Sequence, residues 1–276
     1  MPIIHAIVLG LVQGLSEFLP ISSSGHLLLV PWLFDWHDFD DKATEKAFDV
    51  ALHLGTVAAV CIYFRADIAR YVRAGWRVIA GRRRPVHTDE RIAVLLVVSS
   101  IPAALVGAAF QSSIDNELGR PWIIAVSLIV FGVVLAWADR LAGRRHVEAF
   151  TTRDAVAVGA AQVLALNPGT SRSGITISAG RWLGFERDSA ARISFLMSIP
   201  VTAGAVALKL AGLAKDGIPD GLAVPMVVGI ITSGVSGWIA ISGLLKLIRT
   251  RSFVPFVAYR IALGAFVLLV LAAGWR

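Results

Sequence analysis

The residues best suited to chemistry crowd into one run, GLVQGLSEFLPISSSGH, from Gly10 to His26. Gln13 and Glu17 are spaced i, i+4 and so share a helical face. A carboxylate in an apolar run is costly unless a partner holds its charge; a divalent cation or a guanidinium would do so. The bland alternative is a neutral Glu hydrogen-bonded inside a helix interface. Ser22-Ser23-Ser24-Gly25 follows Pro20 and opens a second helical run, where free backbone N–H groups and the positive dipole end form an anion site. One hydroxyl there is a candidate nucleophile if a base takes its proton. Helix capping accounts for one serine but not for three beside a histidine. His26 falls within one turn of Ser22 and Ser23, in reach for acid/base work.

The run has an echo. GAAQVLALNPGTSRSG, from Gly159 to Gly174, aligns with it at a constant offset of 149 residues, pairing Gly10 with Gly159, Gln13 with Gln162, Ser22 with Ser171, Ser24 with Ser173 and Gly25 with Gly174. Arg172 stands where Ser23 stood, and its planar fork matches phosphate oxygens. If the two breaks meet, a carboxylate, serines, a histidine and an arginine surround a helix N-terminus, a set suited to phosphoryl transfer.

These groups must be positioned by apolar elements. The chain is 56% hydrophobic and only 16% charged, which excludes an ordinary soluble domain. Its formal net charge of +7 is better explained by basic cytoplasmic loops than by nucleic-acid binding. The single Cys61 can form no internal disulfide and reads as a small packing residue.

Ile3 to Phe18 would span roughly 24 Å as a helix, short of the hydrocarbon core. Gly25 to Phe34 continues after the break, so the pair reads as a re-entrant hairpin. Full spans are expected at 47–64, 92–110 and 121–141, with an interfacial helix at 66–81 carrying Arg70, Arg73 and Arg77. The second broken pair covers 154–166 and 171–183, followed by spans near 189–213, 222–247 and 253–275. The expected fold is an all-α integral membrane protein, one membrane domain over 1–276. It is an inverted-topology repeat (1–143 and 152–276), each half a re-entrant helix pair plus three transmembrane helices. On one face lie Lys42, Lys46, Arg120, Lys215 and Arg276; the loops of the other carry eighteen Lys/Arg. The positive-inside rule makes the latter cytoplasmic and places both termini outside.

Gln13 to Pro20 (QGLSEFLP) with Ser22 to His26 resembles the QxxxE-type motif of undecaprenyl-diphosphatases, the bacitracin-resistance family. Pro168 to Thr176 (PGTSRSGIT) resembles that family's second motif, and Phe48 to Thr56 (FDVALHLGT) extends the likeness over essentially the whole chain. The resemblance implies hydrolysis of a C55 isoprenyl diphosphate to the monophosphate in the bacterial inner membrane, with Mg²⁺ or Ca²⁺ as cofactor and a site open to the periplasmic side. By matching position it makes Glu17 the metal-linked carboxylate, with Gln13 where many members have Glu. It makes Ser23 the nucleophile, His26 the acid/base and Arg172 the phosphate clamp, with substrate contacts from Ser22, Ser24, Gly25, Ser171, Ser173 and Thr176. The implied partners are the lipid substrate and membrane lipids, no nucleic acid, with a homodimer left open.

An inverted-repeat transporter or lipid flippase is the rival reading, since broken helices are a transporter signature. Transport needs binding groups but not a histidine beside a serine cluster. A purely structural membrane protein leaves Glu17, His26 and Arg172 unexplained.

The Lys/Arg asymmetry predicts topology. Cysteines placed at the N-terminus and near 115 should react with impermeant reagents from outside, and those near 83 and 145 should not. Labelling near 83 in intact cells would overturn the orientation.

Overall fold

Backbone polar groups surrounded by hydrocarbon must be satisfied within the chain, and helices do this locally. The computed structural model describes residues 1–39, 41–82, 84–218 and 221–276. Arg83 lies outside the described residues, as do the side chains at 42, 43, 111–117, 209 and 212–216, which include Lys42, Lys215 and the expected label position near 115. Eleven α-helices and no strand occur among the described residues: α1 (Ile3–Phe18), α2 (Ser23–Phe34), α3 (Lys42–Tyr63), α4 (Arg65–Ala80), α5 (Thr88–Glu117), α6 (Pro121–Arg140), α7 (Thr152–Val163), α8 (Arg172–Trp182), α9 (Arg187–Asp216), α10 (Ala223–Leu247) and α11 (Val254–Ala272).

Six of these, α3, α5, α6, α9, α10 and α11, are long and apolar enough to cross a membrane. The chain is therefore a multi-pass helical membrane protein. Two boundaries differ from expectation. Helix α3 starts at Lys42 rather than 47, because the Asp41 side chain accepts from Thr44 N at 2.7 Å and caps it. Helix α5 continues past the loop expected at 111, through non-helical dihedrals at Phe110, to Glu117.

Small residues let the helices approach closely. Gly10 and Gly14 of α1 lie so near α10 that a Cβ on either would strike Thr232 or Ser236. The hydroxyls there are turned onto carbonyls: Ser236 Oγ donates to Thr232 O at 2.6 Å, and Ser233 Oγ donates across to Leu52 O of α3 at 2.8 Å. Helix α10 thus packs on both α1 and α3, while α7 packs on α5 and α11 on α6.

The two helix breaks share one geometry. Ser22 begins α2 with φ +79°, and its Oγ accepts from Gly25 N at 3.3 Å. Ser171 begins α8 with φ +73°, and its Oγ accepts from Gly174 N at 3.1 Å. Non-glycine residues held there cost about 1–3 kcal/mol each and persist only where the surroundings over-determine them. Here they do. Ser22 Oγ also accepts from Gly169 N at 3.0 Å, and Ser173 Oγ donates to Leu19 O at 3.0 Å, so each break is tied to the other. Gly25 suits this approach: a Cβ there would lie 3.2 Å from Gly169 N and 3.1 Å from Ile124 Cγ2, so the neighbours would have to give by a few tenths of an ångström.

A single guanidinium completes the junction. Arg260 of α11 is fully buried, and it donates to Pro20 O at 3.0 Å, Gly169 O at 2.8 Å and Thr170 O at 2.9 Å. Its Nε donates to Leu128 O of α6 at 3.1 Å. One side chain therefore satisfies carbonyls from both breaks and from a neighbouring span.

Arg260→Leu removes every one of those donors, and an unpaired buried carbonyl costs about 1–3 kcal/mol. The thermal midpoint of the detergent-solubilised variant should fall by about 5 °C or more, at ~2–4 °C per kcal/mol. A midpoint within about 1 °C of the parent's would mean that those carbonyls find other partners.

Candidate active site

Where the breaks meet, the last turn of α1 faces the first residues of α2 and α8. Glu17, 8% exposed, receives Arg172 Nη2 on Oε1 at 2.8 Å and Ser23 Oγ on Oε2 at 2.6 Å. Gln13 Nε2, one turn back on α1, donates to the same Oε2 at 3.2 Å. The i, i+4 spacing expected to bring Gln13 and Glu17 together does so. Arg172 is 15% exposed, and its other anchor is Ser194 O of α9 at 3.4 Å. The carboxylate thus has a permanent cation on one oxygen and a serine hydroxyl on the other, at a distance suited to proton transfer.

The N-terminus of α2 supplies donors as well. The Ser22 cap takes up Gly25 N, and Ser22 O accepts from His26 N at 3.2 Å. The N–H groups of Ser23 and Ser24 precede these and begin the helix, the position from which an anion is bound. A cavity of about 10 Å³, the size of one water, lies against Glu17 and is lined by Thr56, Val60, Ser198 and Thr202.

His26 does not meet Ser23. The buried ring turns the other way, its Nδ1 donating to Ser22 O at 2.6 Å and its Nε2 accepting from Tyr259 Oη at 2.7 Å. Within one helical turn the imidazole could have pointed either way, and the Ser22 carbonyl, which also accepts from His26 N, captures it with a second bond. The imidazole nearest the carboxylate is instead His53 of α3, whose Nε2 is 3.9 Å from Glu17 Oε2. Its Nδ1 donates to Asp49 O at 2.7 Å, which leaves Nε2 with the lone pair.

The remaining expected contacts are divided. Ser24 is exposed and Ser23 half-buried, both at the mouth of α2. Ser22, Gly25, Ser171 and Ser173 are buried in the junction, where they cap helices and cross-link the breaks as described above. Thr176 Oγ1 donates to Arg172 O at 2.7 Å and pairs with Ser194 Oγ at 2.7 Å, fixing the backbone that carries the arginine. These five residues position the site and do not face its opening. His53, Tyr259 and Arg260 were not assigned roles from the sequence. A lone arginine in an apolar helix and a histidine in the FDVALHLGT run were the available signals, since membranes rarely hold idle ionisable groups.

A hard divalent cation takes oxygen donors and, for Mg²⁺, usually one or two carboxylates plus substrate phosphates. The oxygens at hand are the Glu17 carboxylate, the Ser23 hydroxyl and Gln13 Oε1, which is buried without a partner. No cluster of three His, Cys, Asp or Glu residues occurs among the described residues. This donor set fits a cation shared with a diphosphate and not one caged by protein alone.

Comparison with known proteins gives a single result. The family model for bacitracin resistance protein BacA matches residues 6–266. The undecaprenyl-diphosphatase of Geobacter sulfurreducens is 45% identical over 276 residues, covering 99% of this chain and 100% of that one. The undecaprenyl-diphosphatases of Pelobacter propionicus (45%, 99% of each chain) and Geotalea daltonii (44%, 99% of this chain and 100% of that one) are similarly close.

Glu17→Ala and Arg172→Ala should each insert and purify yet show no turnover of an isoprenyl diphosphate. Arg172→Lys keeps the charge but loses the fork, and its kcat should fall by about 100-fold, the scale of one preorganised donor. Phosphate-release assays on purified protein decide this; near-parental activity in any of the three removes these residues from the site.

Proposed function

The chain belongs to the bacitracin resistance protein BacA family, and on that premise we propose that the Glu17–Ser23–Arg172 junction carries its phosphoryl transfer. The protein is an undecaprenyl-diphosphatase, a membrane hydrolase that converts undecaprenyl diphosphate to undecaprenyl phosphate and phosphate. It thereby returns a lipid carrier to cell-wall synthesis and confers bacitracin resistance. The observation that carries the assignment of residues is the 2.6 Å Ser23–Glu17 hydrogen bond on a carboxylate also held by Arg172.

The terminal phosphoryl group lies at the mouth of α2, against the Ser23 and Ser24 N–H groups, with Arg172 bracing its oxygens. Ser23 Oγ attacks the terminal phosphorus as its proton passes to Glu17 Oε2. The bridging P–O bond breaks and undecaprenyl phosphate departs. Water then attacks the phosphoserine, Glu17 returns its proton to the departing Ser23 Oγ, and the water's proton passes to His53 Nε2. Mg²⁺ or Ca²⁺, held by Glu17, Gln13 Oε1 and the diphosphate, would neutralise phosphate charge and polarise the phosphorus. His26, joined to Ser22 O and Tyr259, holds the start of α2 in place.

The same reading extends to the fold. The duplicated breaks, and helix pairings in which α1 on α10 corresponds to α7 on α5, support an inverted repeat of re-entrant pairs. The charge asymmetry of the loops supports a periplasmic opening with both termini outside. A homodimer is compatible with the exposed apolar helix faces and is not required by the site.

Ser23→Ala should abolish phosphate release from farnesyl or undecaprenyl diphosphate while leaving substrate binding intact, because Arg172 and the backbone donors remain. His53→Ala should slow turnover by about 10²–10⁴-fold, the range for a lost acid/base group. Chelator should reduce the parent's rate. If Ser23→Ala keeps substantial activity and His53→Ala does not, water attacks directly and Ser23 is only a phosphate ligand.

A further inference from the structure

At the far end of α8 from Arg172, on the order of 14 Å away by helical rise, a second polar cavity opens. It encloses about 680 Å³ between the end of α6, the 141–144 connection, the end of α8, the start of α9 and the end of α10. Five arginines line it: Arg140, Arg144, Arg181, Arg187 and Arg249. The three acids on its wall are already committed. Asp139 holds Arg187 at 2.5 Å and Phe253 N at 2.9 Å, Asp188 holds Arg192 at 2.6 Å and pairs with Arg249 at 3.8 Å, and Glu186 holds His146 at 2.9 Å.

Three guanidinium groups are left without a carboxylate. Arg140 and Arg144 are exposed at the rim. Arg181 is 4% exposed, donates to the carbonyls of Phe185 and Leu141, and keeps a buried Nε with no partner at all. Like charges gathered on one cavity repel, and burial of an unsatisfied donor is costly. Helix α9 begins at Arg187 on the same wall, which adds the positive end of its dipole. Volume, charge and free forks together call for an anionic guest with several oxygens, and the cavity falls within the size range of ligand pockets.

The residues beside it indicate the source of that guest. Trp137 and Trp182 stack edge to face at 5.1 Å beside Arg140 and Arg181, and both are exposed. Exposed tryptophans of this kind lie at the headgroup level of a bilayer. We propose that this cavity is a second, non-catalytic site for a phosphate-bearing anion, met in the membrane by the headgroup of an anionic phospholipid. It lies on the arginine-rich face of the protein and uses none of the groups that surround Glu17.

The test follows the thermal midpoint of the full-length protein in neutral detergent during titration with phosphatidylglycerol, phosphatidylcholine or inorganic phosphate. Arg140→Gln/Arg144→Gln alters only exposed rim residues and should retain basal hydrolysis. Arg73→Gln/Arg153→Gln removes two exposed arginines of other helices as a charge-matched control. Phosphatidylglycerol should raise the midpoint of the parent and the control, and its half-maximal concentration should rise at least about tenfold in the rim variant. A response to inorganic phosphate that disappears in the rim variant supports the same site with a soluble phosphate as its guest. If the rim variant responds like the parent to both, if the control loses the response equally, or if the parent responds to neither, the cavity is not an anion site.

Discussion

A helix interrupted inside an apolar medium leaves carbonyl and N–H groups that water cannot reach, and the centre of this protein is organised by that constraint. Each break is answered by the other. Ser22 reaches Gly169 N, Ser173 reaches Leu19 O, and Arg260 gathers carbonyls from both. The two breaks are consequently held within hydrogen-bond distance, at a close separation that the absent side chain of Gly25 accommodates. Proximity of Glu17 to Arg172 is a by-product of solving the backbone problem. The catalytic groups need no long side-chain reach, because the main chain has already brought their residues together.

Helix dipoles explain which group sits on which end. Glu17 is in the last turn of α1, where the negative end of the dipole disfavours an anion. It contacts the first residues of α2 and α8, where the positive ends favour one. Arg172 and the Ser23 hydroxyl shift the balance further toward the carboxylate. In the proposed reading an incoming diphosphate meets the same positive ends and competes with Glu17 for Arg172. On that proposal the competition prepares Glu17 to act on Ser23: a phosphate that draws Arg172 toward itself takes part of the carboxylate's cation and raises its affinity for the serine proton.

Much of this was legible in the residues themselves. Apolar runs set the six spans, Pro20 and Pro168 marked the breaks, and the i, i+4 spacing placed Gln13 beside Glu17. The constant offset set Arg172 at the position matching Ser23, facing the Glu17 side where the two breaks meet. What escaped was direction. His26 is three residues from Ser23 on one helix, and its bonds to the Ser22 carbonyl and to Tyr259, a residue from a distant span, decide which way the ring turns. His53 and Arg260 come from distant spans, and a one-dimensional pattern shows that such residues are unusual without showing what they touch. The cap serines illustrate a further confusion: Ser22 and Ser171 look like substrate ligands because a strained cap and an anion site use the same residue types at the same helix end.

The duplicated segment separates scaffold from chemistry. Both copies keep the glutamine, the capping serine and the glycine that follows it, and both caps adopt the same positive φ. Only the first copy has a carboxylate: the position matching Glu17 is Leu166, and that matching His26 is Ile175. The consequence is visible at the glutamines. Gln13 donates to Glu17, whereas Gln162, equally buried, has neither its amide nitrogen nor its oxygen partnered. A glutamine kept in a slot where it bonds to nothing points to the slot itself, set by close helix packing, as the shared feature. The polar groups of the proposed site are then distributed unequally, with Glu17 and Ser23 on one copy and Arg172 on the other. Neither copy holds all of the proposed site, which comes together only when the packing that satisfies both breaks has formed.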